Sequence, residues 1–456
     1  MIVDGKAAVR RSPGRSFLGD LRTVLAGRGF RQLFGIRLAS RFGDGVFQAG
    51  LGAYVFFSAQ FFPDPGSAAV AFAVLYLPYS LIGPFAGVFI DRWSRRQILL
   101  WSAVLRAGSV ALTGLLIATA QLGPPVYAAA LLVFGINRFF LSALSAALPH
   151  VVREDELVMA NAVAPPLGSL AAFAGGAVGL ELHLATASGR LGSAATLMFA
   201  GLCYLSSGVI ALFMPRPSLG PDRLTRELAT REALGRQLLT VVRGLAAGAR
   251  YVWRRRRARA ALAVTGAQEL LFGLVLLMSI LVYRNYFYAA AGASAALRHY
   301  LVLLFLTGLG AGAAAVSTPV ATRWLSKPAW ISALLAAAAA VTGALGTGFT
   351  QVGFLAMGFV IGTAGQGIGI CTTTILQEEV ADEYLGRVFS VNDMVFNVSL
   401  VLGAALCANL VPLDGRSLPL MLAAAIGWAA AAIGYRALAG PSPSPRPSAR
   451  AQRKSS

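Results

Sequence analysis

The sequence predicts an all-α polytopic membrane protein: twelve transmembrane helices in two pseudo-symmetric six-helix bundles. Three observations carry this. Of 456 residues, 57% are hydrophobic and only 13% are charged, and the mean hydropathy is +0.67, which leaves too little charge to clothe a soluble fold of this size. Twelve apolar stretches reach the roughly 20 residues that cross a bilayer as a helix; they lie near 32–58, 68–90, 97–120, 125–149, 158–184, 192–214, 259–284, 298–321, 328–349, 352–376, 386–411 and 417–438. A polar stretch near 215–258 divides them into six and six.

Taken in order, residues 1–31 form a basic arm carrying Lys6, Arg10, Arg11, Arg15, Arg22, Arg28 and Arg31. No cleavable signal peptide is expected, because the arm is polar and the first apolar run is long enough to span. The first bundle covers 32–214, with turns marked by Pro63, Pro65, Pro124 and Pro125. In the linker, Leu224, Leu228, Leu234, Leu238, Leu239, Val242 and Leu245 recur at helical spacing among arginines. That pattern predicts an amphipathic helix on the cytoplasmic surface, in reach of anionic lipid headgroups. The second bundle covers 259–438, and the Pro/Ser-rich tail, 439–456, cannot pack a core and is expected to be disordered.

Basic residues crowd the arm and linker, while the alternate loops 61–67 and 121–125 hold none. This is the positive-inside bias, so the net charge of +20 reports topology and not a nucleic-acid partner. Both termini are expected in the cytoplasm and the chain in the cytoplasmic membrane. Cys203, Cys371 and Cys407 fall inside apolar runs and read as small buried hydrophobes, with no disulfide or metal site implied.

An ionisable group near the bilayer centre costs roughly 3 kcal/mol unless it is paired or lines a wet cavity. Span 1 carries Arg37, Arg41, Asp44 and Gln48 at steps of four, three and four, a polar stripe on one helix face. Arg138, beside Asn137, lies mid-span 4 and needs a carboxylate, with Asp44 the natural partner or another acid in its place. Glu269, beside Gln268 in span 7, is a candidate proton carrier. Asp393 and Asn397 share a face of span 11, with Asp393 readable as a helix-end contact. Glu181, His183 and Arg190 read as solvated at the outer end of span 5. Glu378, Glu379, Asp382 and Glu383 form an acidic cytoplasmic loop suited to pairing with Arg95 and Arg96.

The halves echo each other. Asp44 follows Arg31 by thirteen residues, as Glu269 follows Arg256, and Thr322-Arg323-Trp324-Leu325-Ser326-Lys327 is a worn copy of Asp91-Arg92-Trp93-Ser94-Arg95-Arg96. Parallel halves with a site between them near midplane is a transporter architecture.

The loop Gly87-Val88-Phe89-Ile90-Asp91-Arg92-Trp93-Ser94-Arg95-Arg96 resembles the G-x-x-x-D-R-x-G-R-R loop 2–3 motif of the major facilitator superfamily, with Ser94 at the second glycine. Ser40–Gly45, Ser142–Pro149 and Gly386–Asp393 are similar to its enterobactin-exporter-like and macrolide-efflux-like branch. The resemblance implies that Asp91 sits at the start of span 11 near Arg387 and latches the halves, with Arg92, Arg95 and Arg96 in support and Gly87 permitting close helix approach. The chain departs from the family's drug/proton antiporters in span 5: Ala171-Ala172-Phe173-Ala174-Gly175-Gly176 keeps the glycine pair of Gly-Pro-x-x-Gly-Gly and lacks the Gly-Pro.

These readings lead to a monomeric secondary transporter that exports an amphiphilic small molecule, a drug, siderophore or secondary metabolite, in exchange for protons. Asp44, Glu269, Arg138, Arg41, Gln48, Asn137, Gln268, Asp393 and Asn397 form the coupling and substrate set, and Gly87, Asp91, Arg92, Arg95, Arg96 and Arg387 the gate. No Gly-x-x-x-x-Gly-Lys-Ser/Thr run is present, so the proton gradient is the expected energy source and no cofactor is expected. A lysophospholipid flippase or an importer is the alternative. An enzyme or sensor fits less well, because His150, His183 and His299 lie apart near span ends and buried charge without a pathway is costly.

Overall fold

A computed structural model of the chain describes residues 17–57, 65–66, 69–70, 72–74, 85, 93–119, 124–153, 156–186, 189–215, 219, 234–289 and 292–439. Its long elements are α1 (Phe17–Ala26), α2 (Arg28–Phe57), α3 (Arg95–Ala118), α4 (Pro124–Ala147), α5 (Leu157–Ala185), α6 (Arg190–Leu212), α7 (Leu234–Trp253), α8 (Arg256–Val282), α9 (Ala293–Ala321), α10 (Lys327–Ala344), α11 (Gln351–Glu379), α12 (Asp382–Leu410) and α13 (Leu418–Ala439). Among the described residues, ten helices are long and apolar enough to cross a membrane. The polar stripe of α2 sets that thirty-residue helix apart. Most of the predicted second span, 68–90, lies outside the described residues. So do residues 1–16 of the arm, where the described part forms α1, and the tail from 440.

Local chemistry sets several ends. Ser94 caps α3 by accepting from the Gln97 amide at 3.3 Å, and Ser326 caps α10 in the same way through Ala329. Ser94 has φ −64°, where glycine has no advantage, so serine at the motif's second glycine is a gain of a cap. Pro149 closes α4 in a 3-10 turn, Leu148–His150.

Glycines bring the helices together in a repeated pattern. Where α2 crosses α5, a Cβ on Gly45 would overlap the Ala172 carbonyl oxygen, and one on Gly175 would overlap that of Phe42. Where α8 crosses α12, Gly273 meets Leu400 and Gly403 meets Leu270 in the same relation. Each member of the second set follows its counterpart by 228 residues. Small residues allow this backbone contact, which supplies packing that hydrocarbon solvent does not drive. A third such crossing joins α9 to α11 through Gly310 and Gly362.

This register corrects the echo read from sequence. Gly45 corresponds to Gly273, so Asp44 corresponds to Phe272, and Glu269 stands at the position of Arg41. The thirteen-residue spacings match only in sequence; the backbone crossings decide which residues share a depth. Between the halves, Phe173 of α5 reaches Gly308 of α9, and Ala53 and Phe72 join the buried apolar cluster of the second half.

Helix α7 falls within the expected linker, and 220–233, with Leu224 and Leu228 of the predicted amphipathic pattern, lies outside the described residues. It packs on α12: Tyr251 stacks on Tyr384 with ring centres 4.5 Å apart, and its hydroxyl accepts from the Ala381 amide at 3.2 Å.

Candidate functional site

Asp44 is 2% exposed and sits among four helices of the first half. Arg106 of α3 donates to its Oδ1 at 2.5 Å, and Tyr204 of α6 to the same oxygen at 3.0 Å. Asn137 of α4 donates to Oδ2 at 3.4 Å, and Arg41 lies 3.5 Å from Oδ2. Arg106 itself is fully buried, donates to the Ser40 hydroxyl at 2.9 Å and stacks 3.7 Å from the centre of the Tyr204 ring. Two cations and two neutral donors around one carboxylate satisfy both its charge and its lone pairs, which is what a buried ion pair needs to survive desolvation.

The partner of Asp44 is therefore Arg106, not Arg138. Arg106 is the one charged residue between Arg96 and Arg138, and the rule that flagged Arg138 flags it equally. Neighbours on a helix point about 100° apart, so with Asn137 turned to Asp44, Arg138 faces out of its half. It meets Asp393 of α12 at 3.2 Å, and the two side chains are 27% and 49% exposed. Asp393 lies about 16 Å along α12 from its start, so it is a bridge between halves and no helix-end contact. Asn397 donates to the Asp393 carbonyl at 2.7 Å, spending its amide on its own helix.

Glu269 is a different kind of acid. It is 5% exposed, and its Oε2 is buried without a hydrogen-bond partner. Gln268 is buried beside it, its Oε1 accepting from the Trp428 indole at 2.8 Å. On α2, Gln48 is exposed and Arg37 and Arg41 are half-buried. The polar stripe thus splits: Asp44 turns into the bundle, Gln48 is exposed, and the stems of Arg37 and Arg41 lie against Gly168 of α5.

Of the gate residues, Gly87, Asp91 and Arg92 lie outside the described residues. Arg95 donates to the Ala146 and Leu219 carbonyls at 2.9 and 3.0 Å and approaches His150 Nδ1 at 3.1 Å. Arg96 donates to the Ala211 and Leu212 carbonyls at 3.1 and 2.6 Å. Both close open helix ends, where cations are favoured. Two members of the acidic loop pair elsewhere: Glu378 bonds Lys327, and Glu379 lies 3.1 Å from Arg257, while the side chains of Asp382 and Glu383 lie outside the described residues. The end of α11 reaches the starts of α10 and α8 first. Arg387 lies over the Tyr384 ring at 5.4 Å and against α7 at Gly244 and Gly248. His183 is buried beside Ser193, at 3.3 Å, instead of solvated. Cys203 is half-buried, whereas Cys371 and Cys407 are buried.

Comparison with known proteins accords with this geometry. A family model described as Major Facilitator Superfamily matches residues 33–404. Uncharacterized MFS-type transporters of Mycobacterium bovis and Mycobacterium tuberculosis are each 36% identical over 397 residues, covering 87% of this chain and 88% of theirs. Among solved structures, a point mutant of the nucleoside transporter NupG superposes with a TM-score of 0.65 at 15% identity, covering 90% of this chain and 99% of that one. A POT family transporter in complex with a thioalcohol-conjugated peptide gives 0.60 at 13% identity, covering 89% and 95%. At such identity the structures speak for the fold alone.

Proposed function

Because the chain belongs to the major facilitator superfamily, and is a multi-pass membrane transporter and not an enzyme, we propose that it is a proton-coupled exporter of amphiphilic small molecules in the cytoplasmic membrane. Both termini are cytoplasmic in this reading, and the bundles 32–214 and 259–438 rock about the space between them, joined by the linker 215–258. The observation that carries the reading is Glu269, a buried carboxyl with an oxygen lacking a partner. A carboxylate in apolar surroundings needs a proton, water or a cation. A motion that changes its access to water changes which of these it holds, and that is the elementary step of antiport. Asp44 belongs to the expected coupling set, but its ligands tie it to Arg106 and give it the structural part.

Arg138 and Asp393 supply a bridge between halves that opening must break. Asp91, with Gly87 and Arg92, is the proposed latch of the loop that resembles the family motif, with Arg95 and Arg96 fastening the helix ends around it.

The test is substrate-dependent proton flux in proteoliposomes under an imposed pH gradient. Glu269→Gln abolishes the coupled flux, while Asp91→Asn retains binding and slows transport. Coupled flux that survives Glu269→Gln and Asp44→Asn together overturns the assignment. Amphiphile movement without proton flux points instead to a flippase, and the sign of the flux decides export or import.

A further inference from the structure

We propose that helix α7 is a binding site for anionic phospholipid in the cytoplasmic leaflet, and that lipid held there steadies the start of α12 and so biases the access states. The second step rests on the transport reading above; the binding site does not.

The observations lie around the circumference of one helix. Residues 234–260 hold eight arginines and no acid. Successive residues of α7 turn by about 100°, which sorts its side chains into three bands. One band packs on the protein: Gly244 and Gly248 lie against Arg387, Tyr251 stacks on Tyr384, and Val252 is buried. Leu238 and Leu245, two of the leucines that marked the helix in the sequence, are half-buried at its edge. The next band runs Leu239, Val242, Ala246, Ala249 and Trp253, at steps of three and four, and all five are exposed. Beside it runs a row of Arg236, Arg243 and Arg250 at steps of seven, exposed throughout.

Protein, then apolar, then cationic is the order a helix needs when it lies along a membrane beside the bundle it packs on. The apolar band enters the acyl boundary, and the arginines reach the headgroup phosphates from its edge. Only Arg254 and Arg255 separate α7 from α8, so Trp253 is held where a membrane helix begins, the depth that an indole favours. Arg259 steadies it there, donating to the Trp253 carbonyl at 3.3 Å with its guanidinium 5.6 Å from the ring centre. The other arginines of the junction serve the fold: Arg255 and Arg256 donate to the Glu379 and Leu438 carbonyls, and Arg257 meets the Glu379 carboxylate. An acidic protein could match the cationic row alone. Adjacent phosphate and acyl layers match the row and the apolar band together, and those are what an anionic leaflet presents.

The packed band carries the effect inward. Tyr384 and Arg387 lie in the first two turns of α12, and Asp393 of the same helix bridges to Arg138 of the other half. A helix α7 fixed to the leaflet holds that end of α12; lifted from it, α7 lets that end move.

The experiment places the full chain in nanodiscs of phosphatidylcholine, alone or with an equal part of phosphatidylglycerol, and follows amide exchange across 234–253. Exchange is expected to slow in the anionic discs, by about fivefold for each arginine engaged, and high salt should reduce the difference. Arg236→Gln, Arg243→Gln and Arg250→Gln together remove it, whereas Arg236→Lys, Arg243→Lys and Arg250→Lys together keep it. Equal exchange in the two discs, or a difference that survives the glutamine variant, overturns the site. If soluble polyglutamate slows exchange in phosphatidylcholine discs as much as phosphatidylglycerol does, the face belongs to an acidic protein and the lipid assignment is overturned. Spin labels on the C-terminal end of α4 and the N-terminal end of α12 should report different distances in the two discs; identical distances overturn the coupling alone. Substrate-dependent flux absent from both lipids overturns the transport reading and leaves the site standing.

Discussion

Replacing Arg106 by Met tests whether Asp44 is built as half of a structural ion pair. The substitution keeps a long apolar stem and removes the guanidinium that lies 2.5 Å from Asp44 and 2.9 Å from Ser40. Asp44 then keeps Tyr204 at 3.0 Å, Asn137 at 3.4 Å and Arg41 at 3.5 Å. These donors are fewer and longer, so most of the cost of a broken buried pair remains, about 3–5 kcal/mol. Asp44→Asn strands the fully buried Arg106 in the same way. The double variant leaves no charge stranded and should recover a large part, giving a coupling energy of about 2–3 kcal/mol in a double-mutant cycle. The assay is reversible unfolding of the purified protein in detergent or bicelles, with Arg138→Met as the control that should not couple to Asp44. Additive losses for Arg106 and Asp44, within about 0.5 kcal/mol, refute the pairing, as does coupling between Asp44 and Arg138.

Other consequences are open to simpler checks. Asp393→Asn removes a half-exposed bridge and should cost less than about 1 kcal/mol of stability, yet it should shift the populations of the two access states, read as a changed distance distribution between spin labels on the C-terminal end of α4 and the N-terminal end of α12. Gly175→Ala and Gly403→Ala each press a Cβ into a carbonyl oxygen; each should lose about 1–3 kcal/mol by thermal melting, whereas Gly52→Ala, with open space around it, should be neutral. Tyr251→Ala removes the stack on Tyr384 and the contact with the Ala381 amide; hydrogen exchange across 234–253 should accelerate by roughly tenfold, with little change in the membrane helices.

Which features were legible in advance follows from how local their causes are. Apolar length acts on a segment by itself, so the membrane-spanning helices among the described residues could be read directly. The expense of buried charge likewise pointed to Asp44, Glu269 and Arg138 without reference to neighbours. Partner choice is different in kind. Asn137 and Arg138 are adjacent in sequence but about 100° apart around α4, so one serves Asp44 and the other Asp393, 255 residues away. The same reasoning applied to span 3 would have found Arg106, since a lone guanidinium amid Leu105 and Ala107 carries the same warning as Arg138.

The sequence by itself therefore determined that this protein is a bundle of membrane helices in two halves, and which side chains are too costly to be idle. Only the tertiary structure decided the register of those halves. Backbone crossings at Gly45 and Gly175, repeated at Gly273 and Gly403, give Glu269 the position in its half that Arg41 has in the other, and leave Asp44 inside its own bundle. The reason is physical. Burial cost belongs to a residue and its span, but depth and facing belong to pairs of helices, and where helices meet at van der Waals contact only the shape of both surfaces fixes them.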